Sequence, residues 1–131
     1  MKSHTLIIYA ALFGASGVIL GAFGAHALKF VLTEHGMTEV WDTAVRYQLI
    51  HAAALLALGG LYANPSWALL RPKLTWVVRL WLVGIILFSA SLYLLALGGP
   101  RWLGPITPLG GISLIAGWLV LGLVAVRSNN D

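Results

Sequence analysis

Residues Thr5–Leu28 read TLIIYAALFGASGVILGAFGAHAL, a run without Asp, Glu, Lys or Arg. A helix needs ~20 such residues to cross the core of a bilayer. Three further apolar stretches follow, at Tyr47–Ala63, Trp76–Leu97 and Pro108–Val126. Continuous rather than alternating apolar runs argue for helices, and in lipid only helices or closed barrels satisfy their own backbone polar groups. Little chain remains between the stretches. The expectation is an all-α membrane protein: one integral domain over 1–131, built as a four-transmembrane-helix bundle with short loops.

Composition agrees. The chain is 60% hydrophobic and 9% charged, whereas soluble domains carry about 25% charged residues. The net charge of +4 comes from scattered residues rather than a Lys/Arg stripe, so it reads as topology and not as nucleic-acid binding. The chain has no cysteine, which excludes disulfides, thiol catalysis and Cys-ligated metal. A signal-peptide reading, with Ala25-His26-Ala27 as the cleavage site, fits poorly. The first apolar run far exceeds the ~7–15 residues of a signal h-region.

With four spans, Lys2, Arg71, Lys73, Arg79 and Arg127 share one side of the membrane with both termini. The other side holds Lys29, Arg46 and Arg101 together with Glu34, Glu39 and Asp42. The Lys/Arg excess predicts cytoplasmic N- and C-termini in an inner (plasma) membrane. Trp67 and Trp76 flank one interface and Trp41 and Trp102 the other, the depth that amphipathic rings favour. Trp118 falls near mid-membrane and reads as a packing residue.

Between the spans, Thr38 is a candidate N-cap for a helix running Thr38–Ala63, with Asp42 and Arg46 at ion-pair spacing. Asn64-Pro65 and Arg71-Pro72 punctuate the middle loop. In the Gly/Pro-rich segment 98–111, Thr107-Pro108 fits a cap followed by proline at the first helical position. Gly110-Gly111 then suggests close backbone approach.

Gly14, Gly17, Gly21 and Gly24 lie on one face of the first span, and Ser113 and Gly117 repeat the small-xxx-small spacing in the last. Small residues let membrane helices approach closely, so these six are expected at helix-packing seams. Ser89, Ser91 and Tyr93 suggest a polar seam in the third span. The second span carries Gln48 and His51 on one face, and His26 ends the first span on the same side of the bilayer. Polar residues inside a membrane are a functional hypothesis by default. His26, Gln48, His51 and Tyr93 are therefore candidates for a ligand site or polar network. Three readings stay open: structural hydrogen bonding, a proton-sensitive or small-ligand site, and axial ligation of haem or a quinone or metal contact. Two histidines without further ligands do not make a metal site, and His26 points away from the glycine face. No catalytic set is assigned, since GxSxG and HExxH are absent.

The motifs also carry a resemblance. Gly21-Ala22-Phe23-Gly24-Ala25-His26 closes the first span. Trp41, Tyr47-Gln48 and His51-Ala52 open the second. Leu87-Phe88-Ser89 and Ser91-Leu92-Tyr93 lie in the third, and Thr107-Pro108-Leu109-Gly110-Gly111 with Gly117-Trp118 in the fourth. In this order they resemble the YgdD-like family of small bacterial inner-membrane proteins, which has small eukaryotic relatives. The resemblance covers essentially the whole chain. It implies a four-span protein without an assigned activity, and supplies no reaction and no cofactor.

The leading expectation is an accessory or interaction protein in the lipid bilayer that packs with itself or with a larger membrane complex. The alternative is a small-molecule or proton-linked carrier, with a site in the outer half of the bundle around His26, Gln48 and His51.

Overall fold

The computed structural model describes residues 1–128. Among these residues it contains helices and no strand. In chain order they are α1 (Ser3–Ala25), the short α2 (Lys29–Glu34), α3 (Thr38–Ala63), α4 (Arg71–Ile85), α5 (Ser91–Ala96) and α6 (Ile106–Ser128). Four stretches are long and apolar enough to cross a membrane: Ser3–Ala25, Thr38–Ala63, Pro65–Ala96 and Arg101–Arg127.

The third stretch is not one uniform helix. A 3-10 segment, Pro65–Leu70, precedes α4, and a π-helical segment, Ile86–Ala90, joins α4 to α5. Nothing in the apolar run Trp76–Leu97 announces that change of winding.

The helix expected at Thr38–Ala63 is α3, with those bounds. Its cap differs from expectation. Met37 occupies the N-cap, Thr38 is already helical, and no side chain caps the end. The cap expected at Thr107 is likewise displaced, because α6 starts at Ile106. The Thr107 hydroxyl meets Ser91 Oγ at 2.7 Å instead of capping its own helix. Asp42 and Arg46 are both exposed and make no ion pair. In the middle loop Asn64 is a true cap, its side chain accepting from the Ser66 amide at 2.9 Å. Gly36 (φ 65°) and Gly98 (φ 86°) take the left-handed turn conformation between α2 and α3 and after α5, where a Cβ is unfavourable.

α1 packs chiefly on α3, and α4 on α6, giving two antiparallel hairpins. The hairpins meet where α3 lies against α4, the π segment and α5, with α6 also touching the π segment. The core is a layer of Leu6, Leu55, Leu58, Leu74, Val77, Val78, Trp81, Ile85, Leu114 and Val124. A smaller cluster of Leu32, Trp41 and Ala96 tucks α2 under the opposite end. Ile7, Ile8, Leu12, Val18 and Ile19 of α1 face outward, as do Leu109, Ile112, Ile115, Leu119 and Leu123 of α6. Apolar area on that scale is a liability in water and the natural surface in lipid. The protein is an integral membrane bundle.

Glycine sets the close approaches. A Cβ on Gly24 would fall on the Trp41 indole, and one on Gly17 would lie 2.7 Å from Leu49 Cδ2. Gly21 faces Val45 at 3.3 Å, while Gly14 is looser, 4.0 Å from Ala52 Cβ. Gly17, Gly21 and Gly24 thus lie along the α1–α3 seam inside the bundle, and Gly14 sits at its looser, outer edge. In the other hairpin Gly117 receives the Trp81 indole, and Ser113 Oγ donates to Leu80 O at 2.7 Å. The two hairpins therefore share one device: an indole on one helix seated on a glycine of the other.

Candidate polar network and the family

Gln48 lies on the α3 face that meets α1 and is 4% exposed. Burying an amide without partners in an apolar interior is costly, and every heavy polar atom of this one is used. Its Nε2 donates to Phe13 O at 2.9 Å and to Ser16 Oγ at 2.8 Å. Its Oε1 accepts from the Tyr93 hydroxyl at 2.9 Å. The Ser16 hydroxyl in turn donates a hydrogen bond to Leu12 O, 2.7 Å away. Gln48 therefore bridges α1 and α5 through α3. Tyr93 is held from its other side by Trp41, ring centroids 4.7 Å apart, and Trp41 Nε1 donates to Leu20 O at 2.9 Å.

One turn along α3, His51 Nδ1 lies 2.7 Å from Tyr47 O. A carbonyl only accepts, so Nδ1 carries the hydrogen. The other nitrogen, Nε2, accepts from Trp118 Nε1 at 3.0 Å. The tautomer is thereby assigned from its partners, and the imidazole is neutral. Protonating Nε2 would set an N–H against an N–H. Both ring nitrogens are spent, so His51 has no lone pair left for haem iron or another metal without losing Trp118. The ring is enclosed by Trp81 and Trp118, at 5.9 and 6.0 Å between centroids. The two indoles pack on each other at 4.7 Å. Trp118 is thus more than a packing residue: it links α6 to α3.

A third set of polar contacts holds the π segment. Ser89 Oγ donates to Ala44 O of α3 at 2.8 Å. Ser91 Oγ lies 2.9 Å from Phe88 O, to which it donates, and 2.7 Å from Thr107 Oγ1. A Cβ on Gly110 would collide with the Phe88 amide and come within 2.8 Å of Leu87 C. The backbone of α6 thus rests directly on the backbone of the π segment. Gly111, beside it, faces the Phe88 ring at 3.7 Å.

His26 does not join these residues. It is exposed at the C-cap of α1, beside Lys29, Phe30 and Thr33 of α2. The polar set grouped from sequence therefore splits. Gln48 and Tyr93 bond directly, His51 belongs to an adjoining aromatic cluster, and His26 stands apart. Ser16, Trp41 and Trp118 supply partners that spacing alone did not assign. The one legible signal for Ser16 is its place beside the glycine face of α1. Among the described residues no three His, Asp or Glu side chains gather as metal ligands, and the one buried side-chain nitrogen or oxygen without a partner is Trp81 Nε1.

A surface depression of about 360 Å³ runs along the outer side of the α1–α3 seam between Ile7, Ala10, Gly14, Val18, Ala53 and Leu56. It is apolar, open and floored by small residues.

Comparison with known proteins agrees with this architecture. The family model described as a protein of unknown function (DUF423) matches residues 20–111. The chain is 43% identical over 115 residues to the UPF0382 membrane protein SH2409 of Staphylococcus haemolyticus, covering 88% of this chain and 89% of that one. It is 37% identical over 127 residues to the UPF0382 membrane protein YwdK of Bacillus subtilis, covering 92% and 95%. It is 37% identical over 129 residues to the UPF0382 inner membrane protein YgdD of Escherichia coli K12, covering 97% and 93%. No solved structure matches. Family model, full-length relatives and a bundle of four membrane-capable helices lead to one conclusion: this chain belongs to the DUF423 family, the UPF0382 membrane proteins.

Proposed function

We propose that the protein is an accessory subunit of the bacterial inner membrane, a bundle that receives a transmembrane helix of a partner, either another copy or a member of a larger complex. The observation that carries this reading is the α1–α3 groove. Its floor of Ala10, Gly14 and Ala53 is the surface on which a second helix can approach closely, and close packing drives association in lipid. The buried polar side chains support the same reading. Gln48, His51 and Tyr93 spend their hydrogen bonds within the bundle, so they leave a carrier no row of free donors and acceptors. The Lys/Arg excess at the end formed by Lys2, Arg71, Lys73, Arg79 and Arg127 supports cytoplasmic termini.

The absence of native cysteine makes the test direct. Ala11→Cys or Ala53→Cys on the groove, expressed at natural level, is expected to give one defined thiol cross-link to a membrane partner. Leu123→Cys, on the lipid face of α6, should not. Cross-links of equal yield from both faces, or a lone monomer in gently solubilised membranes, would overturn the reading.

A further inference from the structure

At the end of the bundle where α1 begins and α3 finishes, a polar pocket of about 290 Å³ is lined by Lys2, Ser3, Tyr62, Ala63 and Arg71. We propose that this pocket binds the phosphate of an anionic phospholipid, with Arg71 and Lys2 as its cationic ligands.

Arg71 is arranged in advance for that task. Its Nε donates to Tyr62 O at 3.0 Å, in the last turn of α3. Its guanidinium carbon stands 5.7 Å from the Tyr62 ring centroid. Tyr62 is itself buried and tied through its hydroxyl to Thr75 Oγ1, 3.2 Å away. One edge of the guanidinium is thus fixed to the protein, and the terminal nitrogens are unspent. A planar fork held in this way meets two oxygens of a phosphodiester with little further loss of side-chain freedom. Lys2, the N-cap of α1, spends no side-chain bond there. The first amides of α1 have no intrahelical acceptor and add to the positive potential of the pocket.

The surroundings favour an anion and a membrane source for it. Lys73, Arg79 and Arg127 lie at the same end, whereas Glu34, Glu39 and Asp42 lie at the opposite end of the bundle. No described carboxylate therefore competes for the two cations. Trp76 is 59% exposed at this level, with the Arg79 guanidinium carbon 5.1 Å from its ring, an arrangement suited to the headgroup layer. The pocket opens at the ends of membrane-spanning helices, where a lipid phosphate is at high local concentration and a free anion is not.

The test is native mass spectrometry of the full-length protein in mild detergent, titrated with phosphatidylglycerol or with phosphatidylcholine of the same chains. The wild type is expected to retain one phosphatidylglycerol at least ten-fold more strongly. Arg71→Gln should remove that preference, and Lys2→Gln should weaken it several-fold. Arg101→Gln, at the opposite end, should leave it intact. Arg71 also holds the end of α3, so Lys2→Gln, whose side chain makes no capping hydrogen bond, decides the matter if Arg71→Gln fails to fold. Equal retention of the two lipids, or equal losses in Lys2→Gln and Arg101→Gln, would overturn the proposal. Displacement of phosphatidylglycerol by millimolar inorganic phosphate would overturn the lipid assignment and leave a site for the free anion. Retention in its presence supports the lipid.

Discussion

Gln48 is the residue whose removal the structure prices most directly. Gln48→Leu keeps the approximate volume and deletes three interhelical hydrogen bonds, those to Phe13 O, Ser16 Oγ and Tyr93 Oη. Interhelical bonds in membrane proteins average about 0.6 kcal/mol each and reach about 1.7. Leaving the Tyr93 hydroxyl without an acceptor in a half-buried position adds about 1 kcal/mol. The expected loss is therefore about 2–4 kcal/mol. Tyr93→Phe deletes one of the bonds and strands Gln48 Oε1, so about 1–2 kcal/mol is expected. The two side chains share a bond, so their effects must couple. The double variant should be more stable than the separate losses predict, by about 1 kcal/mol. The assay is reversible unfolding in mixed micelles of rising SDS fraction, read by helical circular dichroism. A Gln48→Leu protein within about 0.5 kcal/mol of wild type, or strict additivity with Tyr93→Phe, would refute the account of this network as structural.

Three further outcomes follow from single contacts. Gly110→Ala should unfold the bundle or cost more than about 3 kcal/mol in the same micelle assay, because the new Cβ meets the Phe88 backbone, which no rotamer change relieves, whereas Gly111→Ala meets only the Phe88 ring at ordinary contact distance and should be near neutral. Gly24→Ala should cost about 1–3 kcal/mol and break the bond from Trp41 to Leu20 O, visible as an altered indole resonance in NMR of the selectively labelled protein. Trp118→Phe removes the donor to His51 Nε2 and should cost about 1 kcal/mol, while 15N spectra of labelled His51 should show Nδ1 still protonated through its bond to Tyr47 O.

The fold class was legible because a bilayer permits few solutions. Apolar runs of bilayer-spanning length in a chain with 9% charged residues leave helices that hydrogen-bond within themselves. The glycine face of α1 was equally readable, since residues three and four apart share a helix face. That spacing alone does not say what the face meets. The α1–α3 seam, and the Trp41 indole lying on Gly24, depend on which helices become neighbours.

The same distinction separates the candidate residues. Gln48 and His51 stood out as polar groups in an apolar span, a signal local to the sequence. Their partners on other helices lie 32, 35, 45 and 67 residues away at Ser16, Phe13, Tyr93 and Trp118, and no local pattern encodes such pairings. His26 stood out for the same reason, yet it is the non-helical C-cap of α1 and lies exposed beside α2. The π segment was invisible for a related reason. It lies where Gly110 brings backbone against backbone and Ser89 bonds across to Ala44 O, contacts made with segments far from Ile86–Ala90 in the chain. By itself the sequence determined that this chain lives in a membrane as helices, because hydrophobic length and backbone satisfaction are local quantities. Only the tertiary structure decided which polar atoms meet and which faces are left to lipid, because those follow from helix rotation and contact between segments far apart in the chain.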